Sequence, residues 1–413
     1  MIRFEEAQER LLSGVRPLGA ERVPVDHCAG RVLAEEVIAG FDMPAFDHTS
    51  MDGYAFAGAD FVAADADRAG PPTGAGPWEF PVRGESAAGG ALPSFERGTA
   101  CRIFTGARLP IGCDSIVPQE DVERVGDRVR LAKAPIPGQW VRKKGADLAQ
   151  GAVAIARGTR LHAGHAALAA GLDRPTVMVA RRPLVTVLCS GDELRAPGEG
   201  ARGAEGSIPE SNGTFVAATS ASVGAVVRLA PFVRDELASA QEAVRAALQG
   251  SDLLVTVGGV SVGDRDVMKA ALEEAGVGLD FWRVAIKPGK PICVGRAGPT
   301  IVLGLPGNPA SASLTFLLFG VPVLRAMQGD REPLPVRWRL PIEGAMKRQP
   351  GRMEFVRARL VVSGGAPRAV LFPNQASGAV TSFAEADVLV VVPAERDRVE
   401  SGEVLDVIRI ADF

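Results

Sequence analysis

The chain has 413 residues, 46% of them hydrophobic and 23% charged, with 46 basic against 49 acidic side chains and a formal net charge of −3. That size points to two to four domains, and the near-neutral balance without a basic tail or stripe, with 5% aromatics and one tyrosine, argues against nucleic acid as a partner. The 48 glycines and 30 prolines make up about 19% of the chain against a usual total of roughly 12%; set between apolar runs, they indicate turns joining many short strands rather than disorder.

The amino terminus, MIRFEEAQERLLSG, is charged and helix-like rather than a secretory leader, so a cytoplasmic protein is expected. From about Phe41 to Lys144 the chain is Gly/Pro-rich with short strand-like runs, a hairpin through Gly126-Asp127 and no long helical pattern. This stretch reads as β-rich. Trp140 to Arg160 alternates and turns at Gly145, Gly151 and Gly158, as if leading back into a region begun before Phe41. The expected organisation is an elongated, discontinuous linker domain over 1–40 and 145–180, with a β-rich domain over 41–144 inserted into it.

Residues 181–328 follow another grammar. Leu184 to Leu188 is a short apolar run ending in Ser190-Gly191-Asp192-Glu193, the pattern of a buried parallel strand entering a loop. Ser211 and Asn212 are N-cap types before a helix closed by Gly224, and Val226 to Leu229 is the next strand. Asp235 opens a helix with Leu237, Ala240, Val244 and Leu248 on one face and Gly250 as its stop. Leu253 to Val257 then leads into Gly258-Gly259-Val260-Ser261-Val262-Gly263-Asp264 and a helix through Glu274, and Ile301 to Leu303 leads through Leu305-Pro306-Gly307-Asn308-Pro309 into another. The fold class is therefore multidomain α/β, with a doubly wound, mostly parallel domain whose polar loop residues, Asp192, Glu193, Asp264, Asp266 and Asn308, should converge outside the carboxyl ends of the strands.

The apolar run from Ala310 to Leu324 is interrupted by Ser311, Ser313, Thr315 and Pro322 and is shorter than the roughly 20 residues of a membrane span, so a buried helix is expected. Beyond Pro333, short strands return, with a hairpin over Gly364-Gly365 and the run Val388 to Val392. Residues 329–413 read as a small β-barrel or sandwich.

Five cysteines without a CxxC spacing and four histidines without HExxH support neither a disulfide framework nor a zinc site. Walker A spacing is absent, as is a GxGxxG after a strand. The α/β region offers instead glycine loops that let amides approach an anion, and carboxylates in separate strand-end loops, suited to Mg²⁺ shared with substrate phosphates. Each of those acids also reads as an N-cap. FWRVAIKPGK, Phe281 to Lys290, places Arg283, Lys287 and Lys290 near two prolines, as an oxyanion site or as a solvated edge. The run from Phe41 to Ala55 interleaves apolar, acidic and hydroxyl residues without a period, and RIFTGARLP puts Thr105-Gly106 after a short strand.

Together these segments resemble the molybdopterin molybdenumtransferase family, the MoeA proteins and the gephyrin E domain. The matching segments occur in family order: MDGYA at Met51, RIFTGARLP followed by GCDSIVPQED, SGDEL at Ser190, GGVSVGDRD at Gly258, AIKPGKP at Ala285 and GLPGNPASA at Gly304. The GGVSVGD domain is shared with molybdopterin adenylyltransferases, so MDGYA, KPGKP and the carboxy-terminal β domain separate the two.

The resemblance implies an enzyme that takes adenylylated molybdopterin and molybdate, inserts the metal and releases AMP with Mg²⁺ as cofactor. It also implies a homodimer, with the site between the α/β domain of one subunit and the MDGYA-bearing domain of the other. Contacts with molybdopterin adenylyltransferase and molybdoenzyme chaperones are further expectations; a membrane is not. By resemblance the catalytic positions are Asp52, Thr105, Asp147, Glu193, Asp235 and Asp266, with Glu193 and Asp266 toward the metal. Substrate positions are Gly258, Gly259, Ser261, Arg283, Lys287, Lys290, Pro306, Pro309, Arg352 and Ser377. Arg283 stands where the family commonly has Lys, and NQASGAV around Ser377 departs from the usual Gln-Gly-Ser-His. A non-catalytic scaffold of the same architecture and a molybdopterin adenylyltransferase are the alternatives.

Overall fold

A computed structural model describes residues 1–61, 75–200, 206–259 and 267–413. The chain divides into two compact units, one of Met1–Glu35, Arg157–Ala166 and Pro175–Phe413, the other of Glu36–Ala156 and Ala167–Arg174.

The second unit is built on a six-stranded sheet in the order Ser115–Pro118, Gly53–Phe56, Ala100–Ile103, Ala75–Ser86, Arg128–Lys133, Val122–Val125. The last two strands form the hairpin expected at Gly126-Asp127, where Gly126 has φ 62°. Trp78 and Phe80 alternate with exposed Pro77 and Glu79, the period of two that a half-buried strand requires. Phe56, Phe61, Trp78 and Phe80 pack edge to face or tilted, at 5.1–5.7 Å between centroids. The segment from Phe41 to Ala55, aperiodic in sequence, contains two short strands, His48–Thr49 and Gly53–Phe56.

In the first unit, the α/β sheet runs Val226–Leu229, Leu184–Cys189, Leu253–Val257, Thr300–Leu305, Pro291–Ala297, Gly278–Arg283. The first four strands are parallel and the last two antiparallel, so the doubly wound reading holds with an antiparallel edge added. Leu253–Val257 is buried along its whole length, which is why it carries an unbroken apolar run. The helices Asn212–Ser222, Leu237–Leu248 and Val267–Glu274 follow where the spacing places them. Two of their starts differ from expectation. Ser211 makes no side-chain cap, and the first amides of that helix, from Gly213 and Thr214, are taken by the buried Glu210 carboxylate. The next helix begins at Leu237 after Glu236, leaving Asp235 outside it.

The carboxy-terminal region closes into a five-stranded barrel. Met353–Ser363 pairs with Ala366–Leu371, that strand with Trp338–Glu343, then Val404–Arg409, then Val388–Val392, which returns to Met353–Ser363. Closure removes the exposed edges that so small a sheet would otherwise leave.

The helical run Pro309–Met327 is 19 residues long, enough by length and composition to cross a bilayer, yet 94% of its apolar window is buried within the protein. It joins the parallel strands, the amino-terminal helix Phe4–Leu12 and the barrel residues Phe355, Leu389 and Val391 in one core. Phe316–Gly320 is wound as a π turn just before Pro322. Proline has no amide hydrogen, so the Leu318 carbonyl, four residues earlier, lacks its usual i+4 donor. Gln8, buried on the amino-terminal helix, donates to that carbonyl at 2.8 Å. Gln8→Leu should therefore leave a buried acceptor unsatisfied and destabilise the protein by about 1–3 kcal/mol in urea unfolding; an unchanged midpoint and slope would contradict the assignment.

Candidate active site

The parallel sheet reverses its winding between Leu184–Cys189 and Leu253–Val257, with successive strands added on opposite sides. A cavity of about 1120 Å³ opens at the carboxyl ends of these strands and of Thr300–Leu305, the location that open α/β sheets reserve for ligands. Cys189, Ser190 and Gly191 line it from the first strand, Val257, Gly258 and Gly259 from the second, and Pro306, Gly307 and Pro309 from the third. Gly258 has φ +87°, and a Cβ there would stand 2.8 Å from the Ser190 carbonyl oxygen. No side chain fits where the two loops cross.

Glu193 and Asp235 also line the cavity, and the Asp235 amide donates to Asp192 Oδ1 at 3.2 Å. Burial, then the charges of Asp192 and Glu193, hold the Asp235 carboxyl above its ordinary range. These acids concentrate negative charge in a way that a cation or a proton would relieve. Among the described residues no three His, Cys, Asp or Glu side chains form a ready metal-ligand cluster. Cys189 is a protonated thiol, pushed up to about 12 by burial and by Glu210, so thiolate chemistry is not available there.

Two of the helix N-termini beside the cavity are engaged by the protein itself. Glu210 takes the amides of the Asn212–Ser222 helix, while Asn212 Nδ2 donates to the Gly307 carbonyl at 2.7 Å and ties two cavity loops together. At the start of the long apolar helix Pro309 has no amide to offer and Ala310 N–H donates to the Ser377 carbonyl at 2.8 Å. Ser377 thus meets the Pro306–Pro309 loop through its backbone.

Arg283, Lys287 and Lys290 are exposed and stand outside the cavity lining, to which this segment contributes Pro291. Gly289 lets the loop turn against the long helix: its φ is +92° and a Cβ would fall 2.4 Å from Thr315 Oγ1. Lys287 Nζ lies 2.8 Å from Glu354 Oε1 of the barrel, and Arg352 is half-buried two residues before that acid.

In the other unit Asp52 and Thr105 are brought together. Asp52 Oδ1 accepts from both the Thr105 amide and Thr105 Oγ1, each at 2.7 Å. These bonds, backbone first, hold the Asp52 carboxyl below its usual range, with Arg102 adding attraction. Arg102 is itself fixed by Gly53 O at 3.0 Å and Gln119 Oε1 at 2.7 Å, and its guanidinium lies over the Tyr54 and Phe104 rings. Asp147 sits in a separate, exposed turn, its amide bonded to the Met43 carbonyl at 3.0 Å. Ser261, Asp264 and Asp266 lie outside the described residues.

Three residues that matter to this geometry, Glu210, Asn212 and Glu354, carry no special sign in the motifs. Glu210 had one available signal, an acid just before a helix start; Asn212 was visible only as a capping type, and Glu354 only as an acid in a strand.

Comparison with known proteins adds a family. Residues 2–172 match the MoeA N-terminal region (domain I and II), residues 186–326 a probable molybdopterin binding domain, and residues 339–410 the MoeA C-terminal region (domain IV). A protein named molybdopterin molybdenumtransferase from Synechococcus elongatus is 34% identical, over 98% of this chain and 99% of that one. One of the same name from Haemophilus influenzae is 30% identical, over 98% of each. A crystal structure of molybdopterin biosynthesis MoeA protein from Pyrococcus horikosii superposes with TM-score 0.80 at 30% identity, covering 99% of both chains.

The Asp52–Thr105 contact makes a pH prediction. Thr105→Val removes the hydroxyl bond but keeps the amide, so the Asp52 titration, followed by carboxyl-carbon NMR, should move up part of the way to the ordinary value. Because the folded pKa is depressed, Asp52 contributes stability above the unfolded carboxylate pKa, and that contribution is lost as pH falls through the folded value. No movement in Thr105→Val would contradict the contact.

Proposed function

Because the chain belongs to the molybdopterin molybdenumtransferase family, we propose that it is the transferase that inserts molybdate into adenylylated molybdopterin and releases AMP. The observation that carries this reading is the strand-end cavity, of a size for a nucleotide-bearing ligand and lined by glycine and proline loops with carboxylates at one side. We place the enzyme in the cytoplasm, consistent with five buried cysteine thiols, and propose that it works as a homodimer. Molybdopterin adenylyltransferase and molybdoenzyme chaperones are the proposed contacts up and down the sequence of reactions.

Mg²⁺ is the proposed metal. The donor set is compatible: Glu193 faces the cavity beside Asp192 and Asp235, all ligands are hard oxygens, and Mg²⁺ typically needs only one or two carboxylates when substrate phosphates complete its shell. Glu193 and Asp266 would hold it. When bound, it supplies positive charge for the pyrophosphate oxygens.

The chain's own groups divide the remaining work. Gly258 and Gly259 allow close backbone approach to the ligand, Ser261 is a proposed ligand contact by its hydroxyl, and Pro306 and Pro309 keep the opposite wall rigid. Lys287, Lys290 and Arg283 attract molybdate or phosphate oxygens, Arg352 borders that segment, and Ser377 contributes from beside the Pro306–Pro309 loop. Asp235, with its raised pKa, is suited to holding a proton at the site. Asp52, held ionised by Thr105, is suited to accepting a hydrogen bond or a proton, and Asp147 adds a further carboxylate.

Purified protein loaded with adenylylated molybdopterin should release AMP only when molybdate is added. Asp266→Asn and Asp52→Asn should each lower that rate by about a hundredfold, and unmodified rates in both would overturn the site assignment. Chelation of divalent cations should abolish release and Mg²⁺ restore it; full activity in excess chelator would remove the metal from the account.

A further inference from the structure

Lys287 is anchored in an unusual way. Its ammonium, on a side chain that is 46% exposed, pairs with Glu354, whose side chain is only 4% exposed. The other carboxylate oxygen of Glu354 pairs at 2.9 Å with Arg348 Nε, and the Arg348 side chain is 1% exposed. Arg348 then uses its remaining N–H groups on the backbone: Nη1 donates to the carbonyls of Pro393 at 2.8 Å and Arg396 at 2.6 Å, and Nη2 donates to the carbonyl of Arg352. The main chains are joined as well. Ile286–Lys287 pairs in parallel with Met353–Glu354, and the Met353 amide donates to Ala285 O at 2.8 Å.

A lysine side chain near the surface ordinarily samples many rotamers, and fixing one costs entropy that a surface ion pair scarcely offsets. Here the carboxylate is buried and held from behind by an arginine that cannot leave it without stranding a charge. One carboxylate faces two cations, so the group keeps one positive charge in excess, and that charge is presented on the exposed ammonium.

We infer that Glu354 and Arg348 are positioning residues, which hold the Lys287 ammonium and the Arg352 backbone in place so that the carboxy-terminal barrel sets the geometry of the oxyanion-binding loop. This deepens the proposed function and rests on its reading of Lys287 as a ligand for molybdate or phosphate oxygens. Removal of the Glu354 charge frees the ammonium without touching it and also leaves Arg348 without its countercharge, so the part of the loss that belongs to Lys287 is the part that disappears when Lys287 is absent.

The test is a double-mutant cycle on the full chain with a second, activity-independent readout. Glu354→Gln should lower kcat/KM for molybdate-dependent AMP release by about tenfold, whereas in a Lys287→Met background the same substitution should cost several-fold less, leaving only the effect of the stranded Arg348. In parallel, acetic anhydride labelling read by mass spectrometry should show Lys287 acetylation rising relative to Lys290 when Glu354 is changed. If Glu354→Gln does not fold, Glu354→Asp keeps the countercharge for Arg348 while drawing the carboxylate back by one methylene, and the same two readouts apply. An equal loss in both backgrounds, or an unchanged labelling ratio, would overturn the inference. Absence of AMP release from the unmodified protein would sink the functional reading, and the labelling ratio would then decide the contact by itself.

Discussion

Burial of the Pro309–Met327 helix is the constraint on which the rest of the first unit depends. Its flanks form part of one continuous core with the parallel strands, the amino-terminal helix and the barrel. Phe4 touches both Phe319 on this helix and Phe355 of the barrel, at 5.8 and 5.1 Å between ring centroids. The hydroxyls that interrupt its apolar run are accommodated locally: Thr315 Oγ1 returns to the Ser311 carbonyl at 2.7 Å. Its start is the Pro306–Pro309 wall of the cavity, and its side receives Gly289 of the cationic loop. The same element therefore positions groups of both characters, the apolar core behind and the ligand loops in front.

The electrostatics of the site are organised by separation of sign. Carboxylates gather at the strand ends, where burial and then the neighbouring charges raise the Asp235 pKa. Cations gather on the loop after Gly278–Arg283, where one of them is restrained by a buried acid. At two helix starts the Glu210 carboxylate and the Ser377 carbonyl already occupy amides that could have served an anion. The exposed cations are then the remaining charges suited to an anion, and the Lys287–Glu354 pair ties one of them to the barrel.

How much of this could be read in advance follows from the range of the interactions. Leu253–Val257 and the Gly126-Asp127 turn were legible because burial period and turn chemistry are local. The buried fate of the long apolar helix was legible from its hydroxyls and proline, although its 19 residues are enough by length for a membrane span. Capping was read less well. Ser211 and Asp235 are of the right residue type at the right places, yet Glu210 takes the first helix and Asp235 is turned to the cavity, because a capping residue is chosen by tertiary geometry as well as by type. Motif order located Asp52 with Thr105, and the structure supplies the bonds between them. Glu354 was not legible, since its meaning depends on Lys287, sixty-seven positions earlier in the chain. The antiparallel edge of the α/β sheet was missed for the same reason: strand direction is set by pairing between segments and not by the residues of either.

The central claim is that the strand-end cavity receives the pterin nucleotide and the metal oxyanion together. Anomalous diffraction at the molybdenum edge, from crystals soaked in adenylylated molybdopterin and molybdate, tests it most directly. A single strong peak at the mouth of the cavity, where Pro291 brings the Lys287–Lys290 loop to its lining, is the predicted result. Ordered nucleotide in the cavity with molybdenum bound elsewhere, or no nucleotide there at all, would contradict it.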